Sequence, residues 1–486
     1  MRLLKRSSRV GLVVVALLGL PWRALGQDVQ LVPGSTSPLV QLSGEHFQIQ
    51  SDGIYHSAPT ASATLSRFGV LGTDLGFPIQ LEDKIVMFFG DTVGAYRIGD
   101  RYYASRGTPA GVGDSIGYLP LADFAQCHYI SDVAAQLAKG VTSPAVAPGA
   151  CPVLHFFTNP SRSAEDHVFA SFVISGLSAD ESQGEFRVPA SALIYNDRAY
   201  VFATTQVQDA SPVNAFWLRS VLAMSDQPPR LWSDTAPPTF TKLYTVSSHE
   251  AVADPANPPP VNAGGKFMFV PSALMDVAAL ADARLTAALP RELQSTDVVF
   301  VWGTSWMGPR SNLYVAAVAA NQLDSGTAKW FYHAGNGRWS ASESDAVGVL
   351  TTSDVSHPSV VWNAALGSFV LTRGSNGRLL AQFADAPWGP WSDPVTVFSP
   401  ADSWFAKLLH RPGQDRIVQS LVPVYARNGT VVAMPDSETG APYGANVMGS
   451  TTNADGTVTL YYTLSTWNPY QVFLMRSTFR RPPARR

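Results

Sequence analysis

The chain has 486 residues, 46% hydrophobic and 15% charged, a balance that excludes a disordered or collagen-like chain. Its 34 Lys and Arg against 37 Asp and Glu give a net charge of −3, too even for the basic footprint of a nucleic-acid binder. Twelve Trp and 16 Tyr supply aromatic surface for a large core and for stacking on a neutral or weakly charged ligand.

Residues 1–26 read as a secretory signal. Arg2, Lys5, Arg6 and Arg9 precede an apolar run from Val10 to Leu20, and Ala24-Leu25-Gly26 supplies small residues for cleavage. The run is too short to span a bilayer and Pro21 ends it. The mature chain is therefore expected outside the cytoplasm, secreted or periplasmic, without stable membrane insertion and as a monomer. In that oxidising setting the two cysteines, Cys127 and Cys151, are expected to form a disulfide; the alternative is two separate buried thiols. His128 and His155 do not complete a zinc-ligand spacing with them, and neither a metal nor a cofactor is expected.

Past the N-terminal segment, period-2 alternation predicts short strands in comparable groups. The first group runs Leu71–Ile79, Ile85–Thr92 and Ser115–Leu119, and the second Ser191–Tyr195, Ala199–Gln206 and Trp217–Met224. Phe267–Leu274, Val298–Ser305 and Asn312–Ala319 form the third, and Ser359–Trp362, Ser368–Arg373 and Arg378–Phe383 the fourth. Tyr443–Met448, Thr457–Trp467 and Tyr470–Arg476 form the fifth. Five such groups predict an all-β fold, a five-bladed β-propeller over residues 67–479, followed by a basic tail at 480–486. The last group runs out of chain, so residues 27–66, around His46 to Gln50, are expected to close the last blade. Five blades over the mature length leave roughly twice the ~40 to 50 residues a compact blade needs. The surplus is placed in long insertions, the largest at 94–113, 120–187, 248–263, 276–296 and 400–441, with a helix expected over Asp276–Leu293.

A two-residue turn at Glu82-Asp83 pairs Ile79 with Val86, Phe77 with Phe88 and Asp74 with Asp91. Facing carboxylates destabilise a sheet unless they serve a purpose. Mutual repulsion and partial burial raise one pKa, leaving a proton donor beside an ionised partner, as glycoside cleavage requires. The alternatives are an Asp that caps a turn, or a cation shared by both groups. Other candidates for gripping sugar are His357, Arg373, Arg310 and Trp306, together with the polar-aromatic cluster Trp467, Asn468, Tyr470 and Gln471. Serine-hydrolase, zinc-protease, Walker and dinucleotide motifs do not occur.

Gly72-Thr73-Asp74-Leu75-Gly76, then Phe88-Phe89-Gly90-Asp91-Thr92, and the terminal Leu460 to Val472 run with Thr466-Trp467-Asn468-Pro469-Tyr470 carry a resemblance. They resemble a secreted bacterial family long catalogued as a domain of unknown function, some of whose members are endo-D-arabinanases that cut mycobacterial arabinan. The resemblance implies a five-bladed propeller and a paired-aspartate glycosidase site at Asp74 and Asp91, acting on a furanoside-containing polysaccharide. Tyr443-Gly444-Ala445-Asn446 and the long insertions depart from the pattern. Two other functions compete with a hydrolase: a non-catalytic carbohydrate-binding propeller, which needs no poised acids, and a surface interaction module, which would present a large apolar patch.

Overall fold

The computed structural model describes residues 29–481 except 52–53, 105–111, 142–143, 145–146, 148, 164–165, 179–180, 183–187, 208–218, 249–264, 275–282, 306–310, 351, 414–422, 426–429 and 433–436. The expected signal segment, Trp306, Arg310 and the last residues of the basic tail fall outside the described residues.

Five antiparallel sheets follow one another along the chain. Blade one holds Val70–Gln80, Lys84–Ile98, Val112–Pro120 and His155–Phe156, and blade two Pro189–Tyr195, Arg198–Val207, Arg219–Ser225 and Phe240–Ser248. Blade three holds Phe269–Leu274, Val298–Thr304, Tyr314–Ala319 and Phe331–His333, and blade four Ser356–Asn363, Ser368–Ser375, Arg378–Ala384 and Val395–Phe398. Ala441–Thr452, Val458–Trp467 and Gln471–Arg480 begin blade five. The first strand of each blade touches the first strand of the next, and that of blade five returns to that of blade one. This closed ring is a five-bladed β-propeller.

Second strands read as unbroken apolar runs, such as Val298–Trp302 in blade three, because each blade is covered on both faces by its neighbours. The hydrophobic core therefore lies in slabs between blades. Val86 and Phe88 of blade one meet Val201 and Phe240 of blade two, and Trp302 of blade three meets Phe369 of blade four. Trp232 is buried in the first of these slabs, whereas Trp339 and Trp391 lie partly buried against the other.

The ring is closed differently from the sequence expectation. Ser37–Gln41, not His46–Gln50, pairs with Gln471–Arg480, and Gln30–Leu31 extends the same edge. His46–Ser51 instead folds back on Ile54–Pro59 as a separate hairpin. Leu39, Val40 and Leu42 are fully buried, so this upstream run has the apolar content that an outer strand requires. Of the helix expected over Asp276–Leu293, residues 276–282 lie outside the described residues; the described part holds a helix at Ala283–Ala287 and a 3-10 turn at Arg291–Leu293, with Pro290 between them.

A disulfide joins Cys127 to Cys151 at the start of a helix, Tyr129–Leu137, that the strand pattern did not reveal. Tyr129 packs edge-on against Phe47 and donates its hydroxyl to the Pro59 carbonyl at 2.7 Å, fastening this insertion to the N-terminal hairpin. Thiol titration of the unfolded, unreduced protein is expected to find no free thiol, and two titratable thiols would reject the bridge. Replacing both cysteines by Ser should cost about 2 kcal/mol of stability.

Candidate active site

Every innermost strand carries an irregularity in its register near its beginning, between Gly72 and Asp74, Pro189 and Ser191, Phe269 and Ser272, Ser356 and Ser359, and Tyr443 and Asn446. Such irregularities re-aim side chains, and here one is repeated at the same end of all five strands that line the axis. Of the nine non-glycine residues with positive φ among the described residues, four belong to this region: Leu75 at 63°, Asp91 at 38°, His357 at 42° and, in the terminal motif, Asn468 at 49°. Such conformations cost free energy and persist only where the surroundings over-determine them.

In blade one the bulge changes the pairing. The Glu82-Asp83 turn does set Ile79 opposite Val86 and Phe77 opposite Phe88. At Gly76, with φ 69°, an extra residue enters the first strand, so Leu75 faces Phe89 and Asp74 faces Gly90 rather than Asp91. Asp91 is itself the extra residue on the second strand, between Gly90 and Thr92. Blade five holds the kink in place. The Leu75 amide donates to Ser465 Oγ at 2.7 Å, and the Leu75 carbonyl accepts from Asn446 Nδ2 at 3.0 Å and Thr463 Oγ1 at 3.2 Å.

Gly90 makes room for the acid. A Cβ at that position would lie 2.8 Å from Asp74 Oδ1 and 2.7 Å from Val188 Cγ1, closer than real Cβ contacts come. Asp91 is half-buried, and its amide donates to Oδ1 of Asp114 at 3.3 Å. Asp114, buried at the start of the third strand, therefore supports the unusual backbone of Asp91.

Asp74 is buried and accepts a hydrogen bond on Oδ2 from the Tyr443 hydroxyl at 3.0 Å. Burial raises its pKa to about 6, against the opposing effect of hydrogen bonds from Tyr443 and Tyr470. Both phenols are pushed well above their ordinary value, first by burial and then by the charge on Asp74, with Asp91 adding to the effect. Asp74, Asp91, Tyr443 and Tyr470 thus form one electrostatic group. The His357 ring stands 5.2 Å from that of Tyr443 and 5.9 Å from that of Phe269, with Nδ1 2.8 Å from Ser356 Oγ. Burial lowers the His357 pKa to about 4, so the imidazole is neutral at neutral pH.

The other sequence candidates divide. Trp467 is 39% exposed, leans edge-on against Tyr470 and donates its indole N–H to Glu438 at 2.7 Å. Asn468 is buried, donating Nδ2 to the Glu438 carbonyl, and it shapes the turn that delivers Tyr470. Arg373 and Gln471, expected to grip sugar, are turned inward. Arg373 donates Nε to Gln382 Oε1 at 2.9 Å and Nη1 to the Asp354 carbonyl at 2.6 Å. Gln471 donates to the Leu71 carbonyl at 3.0 Å and accepts from Ser43 at 2.8 Å, tying blade one and the closing strand to blade five. Two residues join the group without having been expected, Tyr443 and Asp114. Tyr443 had a signal in the sequence, since it opens the innermost strand of its blade as Asp74 does near the start of blade one. Among the described residues, no cluster of three or more His, Cys, Asp or Glu is placed to hold a metal ion, and no helix is long and apolar enough to cross a membrane.

A buried carboxyl that stays protonated up to about pH 6, with a half-buried carboxyl acting on the same two tyrosines, can give a proton to one oxygen while the second assists attack at the neighbouring carbon. Several solved structures are similar to the chain at low identity. A putative hydrolase from Bacteroides ovatus is 13% identical with a TM-score of 0.46, over 95% of this chain and 97% of its own. A family 117 glycoside hydrolase from Zobellia galactanivorans is 10% identical at 0.36, over 93% and 90%. An arabinanase from Bacillus subtilis is 9% identical at 0.32, over 84% and 96%. No curated protein matches the chain. Residues 60–476 match the family model described as Domain of unknown function (DUF4185), and the chain belongs to that family.

Proposed function

We propose that the protein is a secreted glycoside hydrolase that cuts a furanoside-containing polysaccharide, in the manner of an endo-D-arabinanase, with Asp74 and Asp91 as its paired carboxyl groups. The observation that carries this reading is Asp74 itself. It is a buried carboxyl with pKa raised to about 6, held by two tyrosines beside a second aspartate at the axial end of the ring. Structural acids gain from being ionised and paired; burial holds this one protonated up to about pH 6, the state that a proton donor needs.

In the reaction, the Asp74 carboxyl donates its proton to the glycosidic oxygen as the C–O bond breaks. The Asp91 carboxylate takes a proton from the water that attacks the anomeric carbon from the other side, so the proton given up by Asp74 is balanced and each fragment ends in a hydroxyl. Tyr443 and Tyr470 keep the Asp74 side chain fixed, and Asp114 keeps Asp91 in its bulge. Neutral His357 buttresses Tyr443 and takes no part in proton transfer at neutral pH. The family resemblance of the Asp74, Asp91 and Trp467 motifs supports the choice of a furanoside. The signal-like N-terminus and the Cys127–Cys151 bridge support action outside the cytoplasm.

One observation favours a second reading, a non-catalytic carbohydrate-binding propeller: the exposed indole of Trp467 is a stacking surface in its own right. A panel of polysaccharides that includes D-arabinan separates the two. New reducing ends from D-arabinan or another furanoside polymer, absent with Asp74→Asn, are expected. Binding without cleavage of every polymer would put the binding module first.

A further inference from the structure

The strand that carries Asp91 does not stop at the blade. Lys84–Ile98 continues seven residues past Asp91, about 23 Å at ~3.3 Å per residue. It turns at Gly99-Asp100 into Arg101–Ala104, which pairs in parallel with Val424–Tyr425, itself paired with Val431–Val432. Parts of two insertions more than 300 residues apart thus build one small sheet on the end of blade one.

The two faces of this sheet differ. Ala95, Tyr102, Ala104 and Val424 pack with Leu65 and Leu71, and that contact accounts for the attachment of the sheet to the propeller. The opposite face carries Tyr96, Tyr103 and Tyr425 directly opposite one another on three adjacent strands. Tyr96 and Tyr103 are stacked with centroids 5.9 Å apart, and Tyr103 and Tyr425 lie 6.2 Å apart. Tyr96 is buried beneath the row, whereas Tyr103 and Tyr425 are half-exposed. The Arg101 guanidinium lies 5.4 Å from the centre of the Tyr425 ring, and Ile98 beside it is 54% exposed.

We propose that this tyrosine face is a distal binding surface for the same polysaccharide, gripping chain several sugars away from the bond cut at Asp74 and Asp91. The inference rests on the glycan reading of the site given above. Tyrosines offer rigid apolar ring faces at small entropic cost, with a hydroxyl at the rim. That combination suits the C–H face and hydroxyl edge of a sugar ring, and Arg101 adds donors for hydroxyl oxygens. Continuity selects the occupant, because a single strand links the catalytic-site bulge at Asp91 to Tyr96, so a chain leaving the site along blade one meets the row. An interface with another protein would require more apolar surface than two half-exposed phenols and one isoleucine present.

The test compares the wild type with the Tyr103→Ala/Tyr425→Ala double variant, on D-arabinan polymer and on an arabino-oligosaccharide too short to reach the sheet. KM for the polymer is expected to rise about tenfold, with kcat/KM on the short substrate unchanged. Equal loss on both substrates, or loss on neither, overturns the proposal. Tyr425→Ala alone, on a two-residue strand, serves if the double variant does not fold. Polymer binding is measured in parallel in the Asp74→Asn background with and without the tyrosine changes. If the wild type cleaves nothing, the hydrolase reading fails while this binding measurement still decides: weakening by the tyrosine changes upholds the surface, and unchanged or undetectable binding rejects it.

Discussion

Asp74→Asn and Asp91→Asn are each expected to lower turnover on the cleaved polysaccharide by at least ~10², with KM nearly unchanged. An amide at position 74 still accepts the Tyr443 hydroxyl bond that now reaches Asp74 Oδ2, so the local structure survives while the transferable proton is lost. At position 91 the amide retains its size but has no negative charge with which to assist attack. Loss confined to kcat distinguishes chemistry from binding, because an interaction made only in the transition state does not contribute to holding the ground-state substrate. Full activity in both variants would remove this pair from the mechanism. Activity lost only in Asp74→Asn would leave Asp91 as a structural member of the bulge.

The same carboxyl gives the second large effect, on stability. The folded-state pKa of Asp74 is raised to about 6 from the ordinary aspartate value of 3.8, chiefly by burial. The folded protein therefore holds this proton more tightly than the unfolded chain does. The stability contributed by the neutral form is present below the unfolded value and is lost as pH rises through about 6. Fully ionised, the buried group costs at most about 3 kcal/mol. Asp74→Asn is accordingly expected to be more stable than the wild type at pH 8, with the difference shrinking towards zero at pH 4. Denaturant midpoints of the two proteins at each pH measure this, and taking their difference cancels the other acids that titrate in the window. An equal difference at both pH values would contradict the raised pKa. The kcat profile should fall on its alkaline side near pH 6 for the same reason, since the donor is then deprotonated.

Gains of this kind from removing a functional acid are the usual sign that a site stores free energy that the fold supplies. Here the store is local. Leu75, Asp91 and His357 hold positive φ around one axial end, and each is braced by a partner: Ser465 and Asn446 for Leu75, Asp114 for Asp91, and Ser356 for His357. Gly90 provides the space that Asp74 occupies.

The division between what the sequence determined alone and what waited for the tertiary structure follows the range of the interactions. Alternation of apolar residues and the turn residues between them specify strands and hairpins locally, so five groups, the all-β class and the pairing of Phe77 with Phe88 were legible in the chain itself. Asp74 and Asp91 were legible as a pair because they sit at corresponding ends of one hairpin, but their register was not. The bulge that sets Asp74 opposite Gly90 depends on Ser465, Asn446 and Thr463, nearly 400 residues further along and adjacent only once the ring closes. Ring closure likewise delivers Tyr443 and Tyr470 to Asp74, selects Ser37–Gln41 over His46–Gln50 as the closing strand, and turns Gln471 inward. A side chain in a strand has only two faces available from its own sequence, whereas the neighbour that meets it across the axis is fixed by how five blades pack.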